Sequence, residues 1–224
     1  MSIKPTSDKA ARKASYGRDI TDPYERKRSR RYVMFSDFGI LRTFWTNFGK
    51  VTDGVYRSNH PGHARLEAYK AKGIKAVLNL RGVGVRAPYL FEVESCARLG
   101  LELVSIALQA RAPAPKDQLL RLFAAFDTMP RPFVMHCKSG ADRAGLASAL
   151  YVLDQGGSVT EAKKELSFRY LHIKFTDTGI QDHLLELFEQ RLVQGPISIR
   201  DWVTTEYDPE ALAASFAKKK ILRI

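Results

Sequence analysis

Cysteine is scarce in this chain of 224 residues, which contains only two, Cys96 and Cys137. Two cysteines cannot form the disulfide framework of a small secreted domain. No apolar run reaches a length of about 18 residues, which a transmembrane helix needs. The first residues lack the apolar core of a secretory signal. These absences predict a soluble protein of a reducing compartment, and we expect the cytoplasm.

Acidic residues are also few, because 24 Asp and Glu stand against 36 Lys and Arg and give a net charge of +12. Residues 1–32 alone carry ten Lys or Arg and four Asp or Glu. We predict a flexible basic arm over residues 1–30. It is either a solvated tail or a peripheral contact with an anionic membrane. Charge alone is weak evidence for nucleic-acid binding, which we do not expect.

Short apolar runs alternate with amphipathic helical stripes from residue 51 onward, and only helical patterns follow residue 143. This order predicts an α/β fold with a central, mostly parallel sheet of four to five strands and helices on both faces. We assign residues 31–195 to one catalytic domain. Residues 196–224 are predicted to form a helical tail that packs on the domain or extends it.

The most informative segment is His136-Cys137-Lys138-Ser139-Gly140-Ala141-Asp142-Arg143. A strand-like run precedes this loop and a helical stripe follows it, so the loop lies between a central strand and a helix N-terminus. Free backbone N–H groups and the helix dipole make such a loop an anion site. The same field favours the thiolate of Cys137, and the guanidinium of Arg143 can grip two phosphate oxygens.

The pattern His-Cys, five residues, then Arg resembles the signature of the cysteine-dependent protein-tyrosine and dual-specificity phosphatases, here of a compact bacterial type. The resemblance implies that Cys137 is the nucleophile and that Lys138, Ser139, Gly140, Ala141, Asp142 and Arg143 bind the phosphate. It implies no metal ion and no cofactor. The expected partner is a phosphorylated protein or a small phosphorylated molecule.

The proton donor is less obvious from the sequence. Related phosphatases usually carry an aspartate about thirty residues before the cysteine, but residues 104–112 contain no carboxylate. Asp117 is the nearest acid, and its place in a first helical turn is explained by the helix dipole. Asp142 is the better candidate for the general acid, because bacterial and lipid phosphatases of the superfamily carry an aspartate there. The alternative is that Asp142 only orients Arg143.

Two further positions depart from the family pattern. Ala144 stands where many members have Ser or Thr, whose hydroxyl helps the cysteine leave, so Ser139 or a loop amide would have to substitute. Ala141 replaces a lysine that many phosphoinositide-active members carry. Lys138, in contrast, suits highly phosphorylated or lipid substrates.

Several residues outside the loop have two interpretations. One or two of four arginines near strand ends could bind a second phosphate, or all could be solvent-exposed: Arg57, Arg81, Arg86 and Arg111. Cys96 is more readily a buried core cysteine than a resolving thiol. His60 and His63 indicate a turn rather than a metal site, and His172 and His183 are interpreted as ordinary helix-end and surface residues.

Three functions therefore remain open. The first is a protein-tyrosine phosphatase, with or without dual specificity, that hydrolyses phosphomonoesters through a cysteinyl-phosphate. The second is a phosphoinositide or inositol-phosphate phosphatase of the same mechanism. The third, suggested by Ala144 and the missing acid loop, is a phosphate-recognition module with little turnover.

Overall fold

The computed structural model of the protein describes residues 15–221, and their centre is one five-stranded sheet. The strands are β1 Gly49–Thr52, β2 Val55–Ser58, β3 Ala76–Asn79, β4 Glu102–Ser105 and β5 Phe133–His136. Their spatial order is β1-β2-β5-β3-β4. Only the β1–β2 pair is antiparallel, and the other pairs are parallel. The predicted α/β class and mostly parallel sheet are confirmed.

Ten α-helices surround this sheet within the described residues. A π-helical turn, Tyr32–Ser36, follows the first helix, and short 3-10 turns occupy Phe168–Tyr170 and Asp177–Gly179. In chain order the helices are α1 Pro23–Arg31, α2 Gly39–Phe44, α3 His63–Ala71, α4 Ala87–Leu99, α5 Lys116–Thr128, α6 Asp142–Asp154, α7 Val159–Lys164, α8 Ile180–Leu192, α9 Ile199–Thr205 and α10 Pro209–Ile221.

Helices cover both faces of the sheet, because the central strands are apolar on both sides. Every residue of β3 and β5 is buried. Successive side chains of a strand point to opposite faces, so Leu78 packs with α5, α6, α8 and the C-terminal helices, whereas Val77 packs with α3 and α4. A sheet buried on both faces is typical of parallel βαβ folds.

The predicted flexible arm, residues 1–30, is folded over its last third. Asp22 caps α1 by accepting hydrogen bonds from the N–H groups of Tyr24 and Glu25. The guanidinium of Arg26 then makes two hydrogen bonds of 2.7 and 2.6 Å to Glu94 on α4. Residues 1–14 of the predicted arm lie outside the described residues.

The C-terminal helices pack on the sheet's larger helical layer. Trp202, Val203, Leu212 and Phe216 are buried in the main core. The hydroxyl of Tyr207 donates a 2.8 Å hydrogen bond to the carbonyl of Ala114, just before α5. The predicted tail is thus helical as far as residue 221, and its side chains pack on the domain as far as Phe216. A domain boundary at residue 195 stays a prediction.

None of the described helices combines the length and apolar character needed to cross a bilayer.

Trp202 provides a test of how much the C-terminal helices contribute to stability. Its ring packs against Phe188 and Tyr207 and is only 6% exposed. We expect Trp202→Ala to lower the free energy of unfolding by about 3–5 kcal/mol, because it removes a buried aromatic ring and leaves a cavity. Urea denaturation measures the change.

The matched control is Phe44→Ala, since Phe44 is 90% exposed at the end of α2. We expect the control to change the unfolding free energy by less than about 0.5 kcal/mol. Equal stabilities of Trp202→Ala and the wild type would show that the C-terminal helices do not belong to the cooperative core.

Candidate active site

The segment from Cys137 to Arg143 is a loop at the carboxyl end of β5, a central strand, and it runs directly into α6. The carboxyl ends of parallel strands are where open α/β sheets bind ligands. Ala141 occupies the cap position of α6 and offers no side-chain hydrogen bond to the first N–H groups. These donors and the positive end of the helix dipole face the loop, so an anion can bind there.

The loop curls around the sulfur of Cys137. The N–H group of Gly140 donates a 3.2 Å hydrogen bond to Sγ, and the N–H group of Ala141 donates to the Ser139 hydroxyl at 3.3 Å. Cys137 is 1% exposed. A loop amide therefore supports the sulfur where Ala144 provides no hydroxyl, which is one of the two substitutes that the sequence left open.

Gly140 is the position where only glycine fits. Its φ is +77°, and a Cβ atom there would lie 2.7 Å from the backbone nitrogen of Asn59 and 2.8 Å from the backbone of Ser58. The loop thus packs directly against the chain that leaves β2. This close approach sets the curvature of the loop.

Arg57, the third residue of β2, clamps the outer side of the loop. Its Nη2 donates to the carbonyl groups of Gly140 and Ala141 at 2.6 and 3.1 Å. Its Nη1 donates to the backbone carbonyl and the carboxylate of Glu165, and its guanidinium lies 3.7 Å from the centre of the Tyr170 ring. The side chain is fully buried. Arg57 is therefore part of the scaffold of the loop and not a second phosphate site.

The other three arginines of the sequence prediction lie in different surroundings. Arg81 pairs with Asp37, and Arg86 lies over the ring of Tyr32. Arg111 is exposed and lines the cavity that contains the loop. Only Arg111 of the four is thus placed to contact a second anionic group of a ligand.

A cavity of about 570 Å³ opens at the loop. Its lining combines loop residues with the apolar segment around α2 and with residues that follow β4: Phe38, Leu41, Arg42, Trp45, Gln109, Ala110, Arg111, Lys138, Ser139, Asp142, Arg143 and Thr178. Among these described lining residues Asp142 supplies the only carboxylate. Asp117, in contrast, is exposed in the first turn of α5 and does not line the cavity.

The guanidinium of Arg143 is not fully engaged. Its Nε atom is buried and has no hydrogen-bond partner among the described residues. Arg143 follows Asp142 in the first turn of α6 and lines the cavity. An unsatisfied, buried charged donor is costly, and an oxyanion in the cavity would satisfy it.

Asp37 is a residue of the site that sequence reasoning missed. Its carboxylate accepts hydrogen bonds from Arg42 at 2.7 Å and from Arg81 at 2.8 and 3.0 Å, and Lys138 lies 3.7 Å away. Burial alone would raise the pKa of Asp37, but Arg81 and Arg42 outweigh it and lower the pKa. Asp37 is the only acidic residue between Glu25 and Asp53, and this isolation in a basic segment was the available signal.

His172 is the second residue that sequence reasoning missed. The interpretation of His172 and His183 as ordinary helix-end and surface residues is wrong, because both side chains are buried. Its ring lies between two carboxylates: Nδ1 is 2.8 Å from Oδ1 of Asp142, and Nε2 is 2.7 Å from Oδ2 of Asp182. Burial alone would lower the pKa of His172, but the bonds to Asp142 and Asp182 raise it to about 9. His183 is buried as well and contacts Glu186 and Ser215.

A buried cluster of His60, Glu92 and His136 lies behind the loop, and its nitrogen and oxygen atoms lie within 4.8 Å of one another. Burial, and then His136, hold the pKa of His60 well below its usual value. Imidazole and carboxylate are zinc ligands, so within residues 15–221 these three side chains could hold a metal ion. However, His136 Nε2 and Glu92 Oε1 are 2.5 Å apart, closer than the about 3.3 Å between ligands of a tetrahedral zinc.

The second cysteine belongs to the core and not to the site. Cys96 is buried with Leu66 and Val77 on the face of the sheet covered by α3 and α4. Burial, and then the charge of Glu92, raise the pKa of the Cys96 thiol to about 12. A thiol of this kind is a poor nucleophile at neutral pH, which supports the interpretation as a core cysteine.

The fold, with a cysteine loop that joins a central strand of the sheet to a helix, is similar to that of solved phosphatases. No model of a protein family matches the sequence. A curated relative, the inositol diphosphatase DSP3 of Arabidopsis thaliana, is 30% identical over 108 residues, which are 45% of this chain and 50% of that protein. The chain thus spans about half the length of the curated relative that it matches.

Solved structures show the same fold. Tk-PTP in its active form has a TM-score of 0.53 and 20% identity, covering 66% of this chain and 99% of its own. A putative phosphatase from Shewanella putrefaciens has a TM-score of 0.52 and 18% identity, covering 68% and 95%. The core catalytic domain of the PP-IP phosphatase SIW14 from S. cerevisiae has a TM-score of 0.50 and 17% identity, covering 66% and 91%. The predicted resemblance to the cysteine-dependent phosphatases is confirmed at the level of the fold.

The close approach of the loop to β2 can be tested at Gly140. We expect Gly140→Ala to destabilise the protein by about 1–2 kcal/mol because alanine is strained in the left-handed backbone conformation of this position. The clash of the added Cβ with Asn59 and Ser58 should cost about 1–3 kcal/mol more. Chemical denaturation measures the sum.

Gly156→Ala is the matched control, because Gly156 has a φ of +83° but open space around the added Cβ. It carries the backbone strain without the clash. If both variants lose the same stability, the loop does not pack against the chain after β2 as described.

The structural role of Arg57 can be tested by comparison with Arg169, because both side chains lie over the ring of Tyr170. We expect Arg57→Gln to destabilise the protein by about 3–5 kcal/mol, because it leaves Glu165 without its partner in a buried site. Arg169→Gln is the control, since Arg169 is exposed and also lies over Tyr170. We expect a change within about 0.5 kcal/mol for the control. Thermal or urea unfolding of both variants distinguishes a scaffold residue from a surface cation.

Proposed function

We propose that this protein is a cysteine-dependent phosphatase, a phosphoric monoester hydrolase that works through a cysteinyl-phosphate intermediate. The observation that carries the proposal is the loop itself, which holds the Cys137 sulfur beside an amide donor at the N-terminus of α6. Lys138 and Arg143 line the cavity next to it. The relatives and solved structures of this fold support a phosphatase.

In the first step, Sγ of Cys137 attacks phosphorus, an S–P bond forms and the P–O bond to the leaving group breaks. The N–H groups of residues 138–143 and the Arg143 guanidinium stabilise the negative charge on the phosphoryl oxygens. Donors that are already in place contribute most to catalysis of this kind. A proton on the leaving oxygen adds about 10²–10⁴-fold.

In the second step, water attacks phosphorus, the S–P bond breaks and its electron pair returns to sulfur. The Gly140 N–H group, which donates to Sγ, stabilises the thiolate as it leaves. The water must lose a proton as it attacks. Asp142 is the carboxylate of the cavity, and we assign it to proton transfer. The carboxyl group of Asp142 also contacts Nδ1 of His172, which lies 2.8 Å from its Oδ1 atom.

Phosphotyrosine is the first proposed substrate, in peptides or proteins. The loop binds one phosphoryl group, and Phe38, Leu41 and Trp45 line the same cavity, so an aromatic ring would have apolar partners.

A second candidate substrate is an inositol phosphate or phosphoinositide. Lys138, Arg143 and Arg111 line one cavity, an arrangement that favours ligands with more than one phosphate group. The inositol diphosphatase of Arabidopsis and the PP-IP phosphatase SIW14 of S. cerevisiae, to which the chain is similar, support this candidate. Phe38 and Leu41 are exposed at the cavity and would suit a lipid-bound form.

The proposed function is tested with an aryl phosphate in the presence of a chelator. We expect wild type to turn over many times per site and Cys137→Ser to lose at least about 10³-fold in kcat, because the nucleophile is gone. Steady-state release of phosphate and of the phenol measures both. Activity that survives in Cys137→Ser, or a single turnover in the wild type, would contradict a cysteine-dependent phosphatase.

Cys96→Ala is the matched control, since it removes the other thiol from the core and leaves the loop untouched. We expect it to retain wild-type kcat. Phosphotyrosine peptides and inositol phosphates, compared by kcat/KM with the same preparations, then decide between the two substrate classes.

A further inference from the structure

Two exposed apolar segments border the cavity: residues 35–44, which include α2, and residues 168–175, which follow α7. Sixteen large apolar side chains are exposed within the described residues, and nine of them belong to these two segments. The first segment contributes Phe35, Phe38, Ile40, Leu41 and Phe44. The second contributes Phe168, Leu171, Ile173 and Phe175. We term the two segments the apolar rim, and an exposed apolar surface of this kind marks a contact with a partner or a membrane.

Both segments of the apolar rim reach the loop that contains Cys137. Phe38 and Leu41 line the cavity together with loop residues. The side-chain amide of Asn47 donates a 3.0 Å hydrogen bond to the carbonyl of Tyr170 in the second segment, and another of 3.0 Å to the carbonyl of Ser139 in the loop. The rim therefore lies at the edge of the sheet where the parallel strands have their carboxyl ends and where the cavity opens.

The apolar rim is also positively charged. Asp37 is the only acidic residue in either segment, and it is buried in ion pairs with Arg42 and Arg81. Arg169 and Lys174 of the second segment are exposed. The exposed part of the rim thus combines large apolar side chains with cations and has no carboxylate. An anionic lipid surface is complementary to both properties.

Other occupants fit the apolar rim less well. Phe44 and Phe175 are 90% and 75% exposed, so their rings project into solvent. A protein partner would need a matching pocket for each ring, whereas a bilayer accepts them in any arrangement. A second copy of the chain would place cation against cation, because a symmetric dimer joins the same patch of both subunits. Residues 1–14 contain only two large apolar side chains, Met1 and Ile3, which are too few to cover the rim.

We infer that the apolar rim docks the protein on an anionic lipid bilayer. The projecting phenylalanine rings enter the boundary between headgroups and acyl chains, and Arg169 and Lys174 lie among the anionic headgroups. In this orientation the mouth of the cavity faces the headgroup layer. The docking surface is thus different from the basic arm of residues 1–30, and the docking does not depend on the proposed function.

Binding of the full-length protein to lipid vesicles tests the docking without any catalytic step. The vesicles consist either of phosphatidylcholine alone or of phosphatidylcholine mixed with phosphatidylglycerol, and sedimentation measures the bound fraction. We expect wild type to bind the mixed vesicles at least about tenfold more tightly than the neutral ones, because the cations of the rim approach anionic headgroups. The affinity for the mixed vesicles should fall as salt is added.

The combined variant Phe44→Ser and Phe175→Ser removes one projecting ring from each segment. Neither residue lines the cavity. We expect the double variant to bind the mixed vesicles at least about tenfold more weakly than wild type, because two rings no longer leave water. Its stability in urea and its activity on a soluble aryl phosphate should stay at the wild-type level, since both side chains are exposed.

Val193→Ser is the matched control for the rings. Val193 is 86% exposed at the end of α8 and lies outside the rim, so its replacement should leave vesicle binding unchanged.

The charge of the apolar rim is tested at Lys174. We expect Lys174→Glu to weaken binding to the mixed vesicles at least about fivefold, because a cation near the headgroups becomes an anion. Lys75→Glu is the matched control, since Lys75 is exposed just before β3, at the opposite edge of the sheet. At that distance from the bilayer salt screens its charge, and we expect a change of less than about twofold.

Three results would overturn the inference. The first is equal or absent binding of wild type to the mixed and the neutral vesicles. The second is wild-type affinity of the double variant, which would assign the binding to the basic arm or to another surface. The third is a dimer in lipid-free solution that the double variant dissociates, as measured by analytical ultracentrifugation, because the rim would then join two copies of the chain.

A failure of the proposed function would look different. Wild type would then not turn over even the most activated aryl phosphate, or Cys137→Ser would retain activity, while vesicle binding and its loss in the double variant would persist.

Discussion

The buried guanidinium of Arg57 is the interaction on which the loop from Cys137 to Arg143 depends. A loop whose N–H groups point inward to an anion must turn carbonyl groups outward, and buried carbonyl groups need donors. Arg57 donates to the carbonyl groups of Gly140 and Ala141 and is itself held by Glu165 and Tyr170. The outer side of the candidate anion site is therefore held by contacts within the protein that do not depend on a ligand.

Charge within the site is balanced in two places. Asp37 accepts hydrogen bonds from Arg42 and Arg81 and lies near Lys138, which limits the positive charge around the cavity. On the other side, His172 carries its charge between Asp142 and Asp182. Lys138 and Arg143 line the cavity, where they can meet the charge of a phosphoryl group.

The loop bears on the type of reaction, whereas the cavity bears on the type of substrate. The loop supports the proposed phosphoryl transfer to sulfur whatever the substrate, because its donors would contact only the phosphoryl group. The cavity of about 570 Å³ adds aromatic and cationic side chains that suit an aryl group or further phosphates.

The sequence by itself determined the class of fold, the loop and its candidate residues, because these depend on local order: a strand pattern, a cysteine and an arginine at fixed spacing, and a helix pattern. It also indicated that residues 104–112 lack an acid. Only the tertiary structure decided the surroundings of these residues. Arg57, Asp37 and His172 lie 80, 100 and 35 residues from Cys137 in sequence, and such contacts arise from packing, for which local spacing carries no signal.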